Sequence, residues 1–228
     1  NIAIGYEAMA SSQLSQLNIA IGLQALQNVT NSTLKNTYNI GIGPQAGNDV
    51  TIGEKNILIG AFSGDAITEG LHNVALGYAT LGANVDSDRN VAIGSNALAA
   101  MTGTAGDTYN VAVGHNAGND VTTGVKNTIT GGLAGDAITD GNENTAYGYA
   151  SLSGEDSGVS NTAIGTQALG AQDGGNANVA VGRQAGLNIS TGDNNTVIGG
   201  NAGDALTTGD NNIIIGKNAA ASPVDVDN

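Results

Sequence analysis

The chain has 228 residues and a formal net charge of −14, with six Lys and Arg against twenty Asp and Glu. This balance excludes the clustered basic residues that nucleic-acid binding needs, and it disfavours docking on an anionic membrane. One Phe, six Tyr and no Trp predict a thin core built from Ala, Ile, Val and Leu. The absence of Cys excludes disulfides and thiolate metal sites.

A phrase of five residues that opens with Asn and closes with Gly recurs along the whole chain. Most copies begin 17 residues apart, and two small insertions, at 31–38 and 103–109, lengthen the spacing. We therefore predict one repeat array over residues 1–228, cut from a longer protein because it begins without Met and inside a repeat. The units begin at Asn1, Asn18, Asn39, Asn56, Asn73, Asn90, Asn110, Asn127, Asn144, Asn161, Asn178, Asn195 and Asn212.

The first places of each unit predict a short strand. The second place is β-branched, the fourth is large and apolar in nearly all units, and the third is mostly Ala. Such alternation predicts a strand with one buried face. In NILIG (56–60) we expect the two Ile to fill the core and Leu58 to lie on the other face.

The fifth place is always Gly, which indicates a backbone with positive φ or a close approach to another strand. The eighth place is always small, which predicts a second short strand, and many units close with the turn signal Thr-x-Gly. The glycines are Gly5, Gly22, Gly43, Gly60, Gly77, Gly94, Gly114, Gly131, Gly148, Gly165, Gly182, Gly199 and Gly216.

No stretch shows helical periodicity, so we predict an all-β fold. One unit cannot bury its apolar edge alone, so successive units must stack by parallel pairing into a β-solenoid (β-roll) of 13 coils of about 17 residues. The stacked Asn residues would then form an amide ladder along the axis. A row of Asn that binds a ligand is the alternative interpretation.

The phrases NIAIG, NVAIG and NVAVG resemble the head repeats of YadA-like trimeric autotransporter adhesins. NTAIGTQAL (161–169) and NTVIGGNAG (195–203) also look like repeats of phage tail fibres. The resemblance covers essentially the whole chain. It implies a left-handed parallel β-roll, packed side by side as a homotrimer at the bacterial cell surface or on a phage virion. Strands 2–4, 91–93 and 213–215 would lie near the trimer axis.

The thin core independently favours oligomerisation, because lateral burial against sister chains would offset conformational entropy. A closed three-fold arrangement would also hide one flank of each chain without open-ended aggregation.

Few residues suggest chemistry. His72 and His115 are the only histidines and occupy different places of their units, which fits neither a nucleophile–base pair nor a metal cluster. No GxSxG turn is present, and the two insertions contain one Asp, Asp107, so paired carboxylates for glycoside hydrolysis are not expected. We predict no enzyme activity and no cofactor.

Acidic residues recur at fixed places and could bind calcium with backbone carbonyls at the turns. The alternative, which we favour, is a solvated acidic edge that keeps the fibre soluble. The weak calcium candidates are Asp49, Asp65, Asp120, Asp136 and Asp204.

Tyr6, Tyr78 and Tyr149 recur at the sixth place of every fourth unit and are weak candidates for binding a host glycan or protein receptor. Packing over a turn or a neighbouring chain is the alternative. Lys126 and Glu143 occupy equivalent places in adjacent coils and are expected to pair.

Two classes of function remain. The first is a non-enzymatic extracellular fibre segment, structural and adhesive: a surface adhesin head or stalk, or a phage tail-fibre shaft or receptor-binding segment. The second is a dedicated binding array, such as an ice-binding or calcium-binding solenoid. Ice binding is less favoured because Thr fills only part of the second-place column.

Overall fold

The computed structural model describes residues 1–103 and 106–219, which form strands, turns and bends but no helix. The chain divides into two compact units, Asn1–Asn110 and Val111–Asn228. The prediction of one continuous array over 1–228 stays a prediction. Strands of the first unit are β1 (Ile2–Ile4), β2 (Gln13–Gln16), β3 (Ile19–Ile21), β4 (Thr30–Asn36), β5 (Ile40–Ile42), β6 (Ile57–Ile59), β7 (Val74–Leu76), β8 (Ser87–Asp88), β9 (Val91–Ile93) and β10 (Gly106–Asp107). Strands of the second are β11 (Val111–Val113), β12 (Thr128–Thr130), β13 (Thr145–Tyr147), β14 (Thr162–Ile164), β15 (Val179–Val181), β16 (Thr196–Ile198) and β17 (Ile213–Ile215).

Each repeat contributes one three-residue strand to a parallel sheet. In the first unit the order is β1-β3-β5-β6-β7-β9, and in the second it is β11 to β17 in sequence. Equivalent places pair without slippage, as in Ile2 with Ile19 and Thr128 with Thr145. The predicted all-β parallel solenoid with a repeat of about 17 residues is therefore confirmed.

The insertions form two small parallel pairings beside the main sheet of the first unit. β2 pairs with β4, with a shift in register, and β8 pairs with β10. Ion pairs fix both insertions, Lys35 to Glu54 and Arg89 to Asp107. The Arg89 guanidinium also lies 5.7 Å from the centre of the Tyr109 ring.

Alternation predicted that the second and fourth places of the repeat point into the core, but in the structure the third place does so. Third-place residues from Ala20 to Val197 are fully buried, among them Ala92 and Leu58. Second-place and fourth-place residues point outward, and Ile57 keeps 36% of its surface exposed. The prediction that the two Ile of NILIG fill the core and Leu58 lies outside is wrong, because the buried first-place Asn brings the third place inward with it.

The predicted second strand is absent from the described residues. In the described residues the segment after the fifth-place Gly is a run of turns instead, such as residues 61–66 after β6. This run still buries small eighth-place residues, such as Ala25 and Ser63, and a large apolar twelfth-place residue, such as Ile67.

Core packing alternates large and small residues between the strand and the turns. In the coil that begins at Asn56, Leu58 extends over Gly64, where an added Cβ would lie 2.7 Å from Leu58 Cδ2. In the preceding coil Gly41 and Gly47 leave space that Leu26 and Leu58 fill from the coils on either side. Adjacent coils therefore interlock, as close packing of a thin core requires.

Candidate functional site

The Asn column lies inside the solenoid, and its members are at most 2% exposed from Asn18 to Asn212. Along most of the column Oδ1 accepts a hydrogen bond from the backbone N–H of the next Asn, as between Asn161 and Asn178 at 3.0 Å. In most coils Nδ2 donates within its own coil, as from Asn178 to the Gly192 carbonyl at 2.7 Å. Amide-to-amide contacts also occur, with Asn195 Nδ2 donating to Asn178 Oδ1 at 3.0 Å.

This arrangement modifies the predicted ladder. Side-chain oxygens link successive coils through backbone N–H groups, and in most coils the side-chain nitrogen closes the coil onto its fifteenth residue. With their polar atoms engaged and their side chains buried, these residues have a structural role and offer no surface to a ligand.

The fifth-place glycines combine both features that the sequence allowed. Gly60 has φ +131°, a conformation open almost only to Gly, and an added Cβ would lie 2.2 Å from the Gly77 carbonyl oxygen. The backbone therefore turns out of the strand at a point where the next coil leaves no room for a side chain.

Four of the five calcium candidates lie in pairs on neighbouring coils. Asp49 N–H donates to the Asp65 carbonyl and Asp120 N–H to the Asp136 carbonyl, each at 3.1 Å. Burial, with a further contribution from the neighbouring Asp, raises the pKa of the Asp65 and Asp136 carboxyls. Asp204 accepts a hydrogen bond from Asn188 Nδ2 through its carbonyl. Among the described residues no group of three or more His, Cys, Asp or Glu is placed to hold a metal ion.

The three tyrosine candidates are exposed, Tyr6 by 72% and both Tyr78 and Tyr149 by 56%. Tyr78 makes an edge-to-face contact with Phe62, with ring centres 5.8 Å apart. Lys126 and Glu143 form the expected ion pair at 2.9 Å, which lowers the Glu143 pKa. Both His72 and His115 are exposed.

The outward face of the strands is the feature that the sequence analysis missed. In the first unit every outward position is Ile, Val or Leu. In the second unit β12, β13 and β14 instead place Thr hydroxyls and the 60% exposed ring of Tyr147 on this face. The available signal was Tyr at the fourth place, a position that alternation assigned to the interior.

A buried polar pair also escaped the sequence analysis. Glu155 and Gln172 occupy the twelfth place in adjacent coils, where most coils have a large apolar residue. Glu155 Oε1 accepts hydrogen bonds from Gly158 N–H and, at 2.9 Å, from Gly174 N–H. Burial, and secondarily the nearby Asp173, raises the Glu155 pKa above its ordinary value. Gln172 Oε1 is buried without a hydrogen-bond partner.

Within residues 1–103 and 106–219, no helix has the length and hydropathy to cross a bilayer. No protein-family model, curated protein or solved structure matches the chain.

Proposed function

We propose that this chain is a non-enzymatic segment of an extracellular fibre, structural and adhesive, as in the head or stalk of a bacterial surface adhesin. Its copies associate side by side as a homotrimer through the outward sheet face of the first unit. The observation that carries the proposal is that this face is apolar and uncharged in a protein of net charge −14.

The face consists of the first and third residues of β1, β3, β5, β6, β7 and β9, which are the second and fourth places of their repeats. Exposure reaches 52% at Ile2 and 60% at Ile4, and it is 36% at both Ile57 and Ile93. Contiguous apolar surface of this kind is typical of protein–protein contacts. A continuous strip along parallel strands suits the face of one solenoid unit that lies against the same face of another copy.

A second copy of the chain is the occupant that charge favours. Acidic surfaces of two copies repel each other, so the uncharged strip is where copies can approach closely. Burial of the strip would also add to the apolar area that each chain removes from water. A closed ring of copies would satisfy both conditions without open-ended growth.

The test is the mass of the full chain in solution by analytical ultracentrifugation. We expect a trimer for the wild type and a monomer for Ile57→Lys, which places a charge in the middle of the strip. Ile52→Lys is the matched control, because Ile52 is 44% exposed on a turn outside the strip. A wild-type monomer at micromolar concentration, or equal loss of association in both variants, would contradict the proposal.

A further inference from the structure

We propose that the second unit carries a binding site for a neutral carbohydrate chain on the outward face of its sheet. The site is the Thr-Tyr patch, defined as Thr128, Thr130, Thr145, Tyr147, Tyr149 and Thr162. It rests on the adhesive part of the proposed function and names the chemical class of the receptor.

Strand pairing brings the patch together. Thr128, Thr145 and Thr162 are direct partners on β12, β13 and β14, and Thr130 pairs with Tyr147. Neighbouring strands lie ~4.8 Å apart and alternate residues of one strand ~6.6 Å apart. Hydroxyls and rings therefore form a grid on a supported backbone.

Its threonine hydroxyls are free, unlike that of Thr122 in the same unit. Thr122 Oγ1 donates to the Thr139 carbonyl at 3.1 Å, which ties one coil to the next. Among the described residues, no side-chain hydrogen bond involves the hydroxyls of Thr128, Thr145 or Thr162. These groups can both donate to and accept from sugar hydroxyls.

Two exposed rings complete the patch. Tyr147 is 60% exposed on the sheet face, and Tyr149, 56% exposed, follows the glycine that ends the strand. Gly132 lies beside Tyr149, where an added Cβ would be 3.7 Å from Tyr149 Cδ2. Tyrosine offers a rigid, amphipathic surface with few rotatable bonds, which suits the mixed apolar and polar face of a sugar ring.

Charge selects a neutral ligand. No residue of the patch is charged, and Lys126 and Glu143, which end the coils directly before those that carry Thr128 and Thr145, neutralise each other in an ion pair at 2.9 Å. The net charge of −14 repels acidic glycans, and no cation of the patch compensates for it.

Two other occupants fit less well. A second copy of the chain would bury free hydroxyls without defined partners, which is unfavourable. An ice surface requires a flat, uniform lattice, which the protruding Tyr147 ring interrupts.

The test is binding of the full chain to a panel of immobilised neutral and acidic hexasaccharides. We expect binding to at least one neutral glycan and to no acidic one. Tyr147→Ala should weaken that binding at least about tenfold, and Thr145→Val, which removes only the hydroxyl, about threefold to tenfold. Tyr6→Ala and Thr196→Val are matched controls outside the patch and should bind as the wild type does.

Three results would overturn the proposal. The first is no binding to any neutral glycan, and the second is equal binding by wild type and Tyr147→Ala. The third is a Tyr147→Ala variant that binds glycan as the wild type does but has a different oligomeric state. Thermal hysteresis of the wild type that Tyr147→Ala leaves intact would assign the face to ice instead. The fibre proposal fails separately: a monomeric chain that binds neutral glycans through Tyr147 would refute the homotrimer alone. A trimer that binds no neutral glycan would refute only the patch.

Discussion

Replacement of one Asn in the buried column, Asn178→Ala, tests whether the column holds successive coils together. The side chain is fully buried and takes part in four hydrogen bonds that Ala cannot make, two with Asn195, one with Gly192 and one with Asn161. Its Nδ2 donates to the Gly192 carbonyl at 2.7 Å, and its Oδ1 accepts from Asn195 N–H at 2.9 Å. The substitution leaves one buried acceptor and one buried donor without a partner.

The expected cost follows from those two groups. A buried polar group that loses its partner costs about 1–3 kcal/mol, so the two together cost about 2–6 kcal/mol of unfolding free energy. In a protein of this size 1 kcal/mol shifts the melting temperature by about 2–4 °C, so we expect a fall of at least about 4 °C. Asn195 Nδ2 keeps its 2.9 Å bond to the Gly209 carbonyl, so the damage should stay local.

Two measurements follow, and both have an internal control. Thermal unfolding monitored by circular dichroism gives the melting temperature, and Asn188→Ala is the matched variant because Asn188 lies in the same coil but is exposed. Amide hydrogen exchange should be faster at Asn195 and unchanged at Gly199, whose N–H donates to the Val181 carbonyl. Equal melting temperatures for the two variants, with Asn195 still protected, would refute the structural role of the column.

Three further predictions concern the turn, the core and the buried carboxyl. The strained backbone conformation at Gly60 alone would cost an Ala about 1–3 kcal/mol, and Gly60→Ala should lower the unfolding free energy by more because the added Cβ also meets the next coil. Gly82→Ala, where the nearest contact of the added Cβ would be 3.4 Å, should change it by less than about 1 kcal/mol. Denaturant titration of both variants makes the comparison. Leu58→Ala should lower the unfolding free energy of the monomer by about 2–5 kcal/mol, and Ile57→Ala should lower it much less. The reverse order would mean that Ile57 lies inside and Leu58 outside, as alternation predicted. Because the folded-state pKa of Glu155 is raised, its carboxyl stabilises the fold most at acid pH, and that stabilisation is lost as pH rises from the unfolded-state pKa through the folded-state pKa. Glu155→Gln should therefore be more stable than wild type at neutral pH and show a flatter pH dependence, and parallel stability curves between pH 4 and 8 would contradict this.

Much of the candidate site could not be located from the sequence because an exposed role and a buried role use the same residue types. Thr122 and Thr145 are both threonines in or beside β-structure, yet one hydroxyl joins two coils and the other is free. Only the direction of each side chain distinguishes them. Tyr149 was a candidate because it recurs, whereas Tyr147 occurs once and gave no periodic signal.

The sequence by itself determined the period, the all-β class and the parallel register. Residues that recur every 17 positions contact their equivalents in adjacent coils only if equivalent places stack. The Asn and Gly columns are therefore sufficient to fix the register. The tertiary structure decided which face of the strand is inside. Alternation with a period of two is symmetric between the faces, and the choice depends on the space within the coil. The interior of a coil holds the first-place Asn amide and the third-place residue, such as Ala20 or Leu58. Gly64 faces Leu58 across the interior, and Ile57 stays outside.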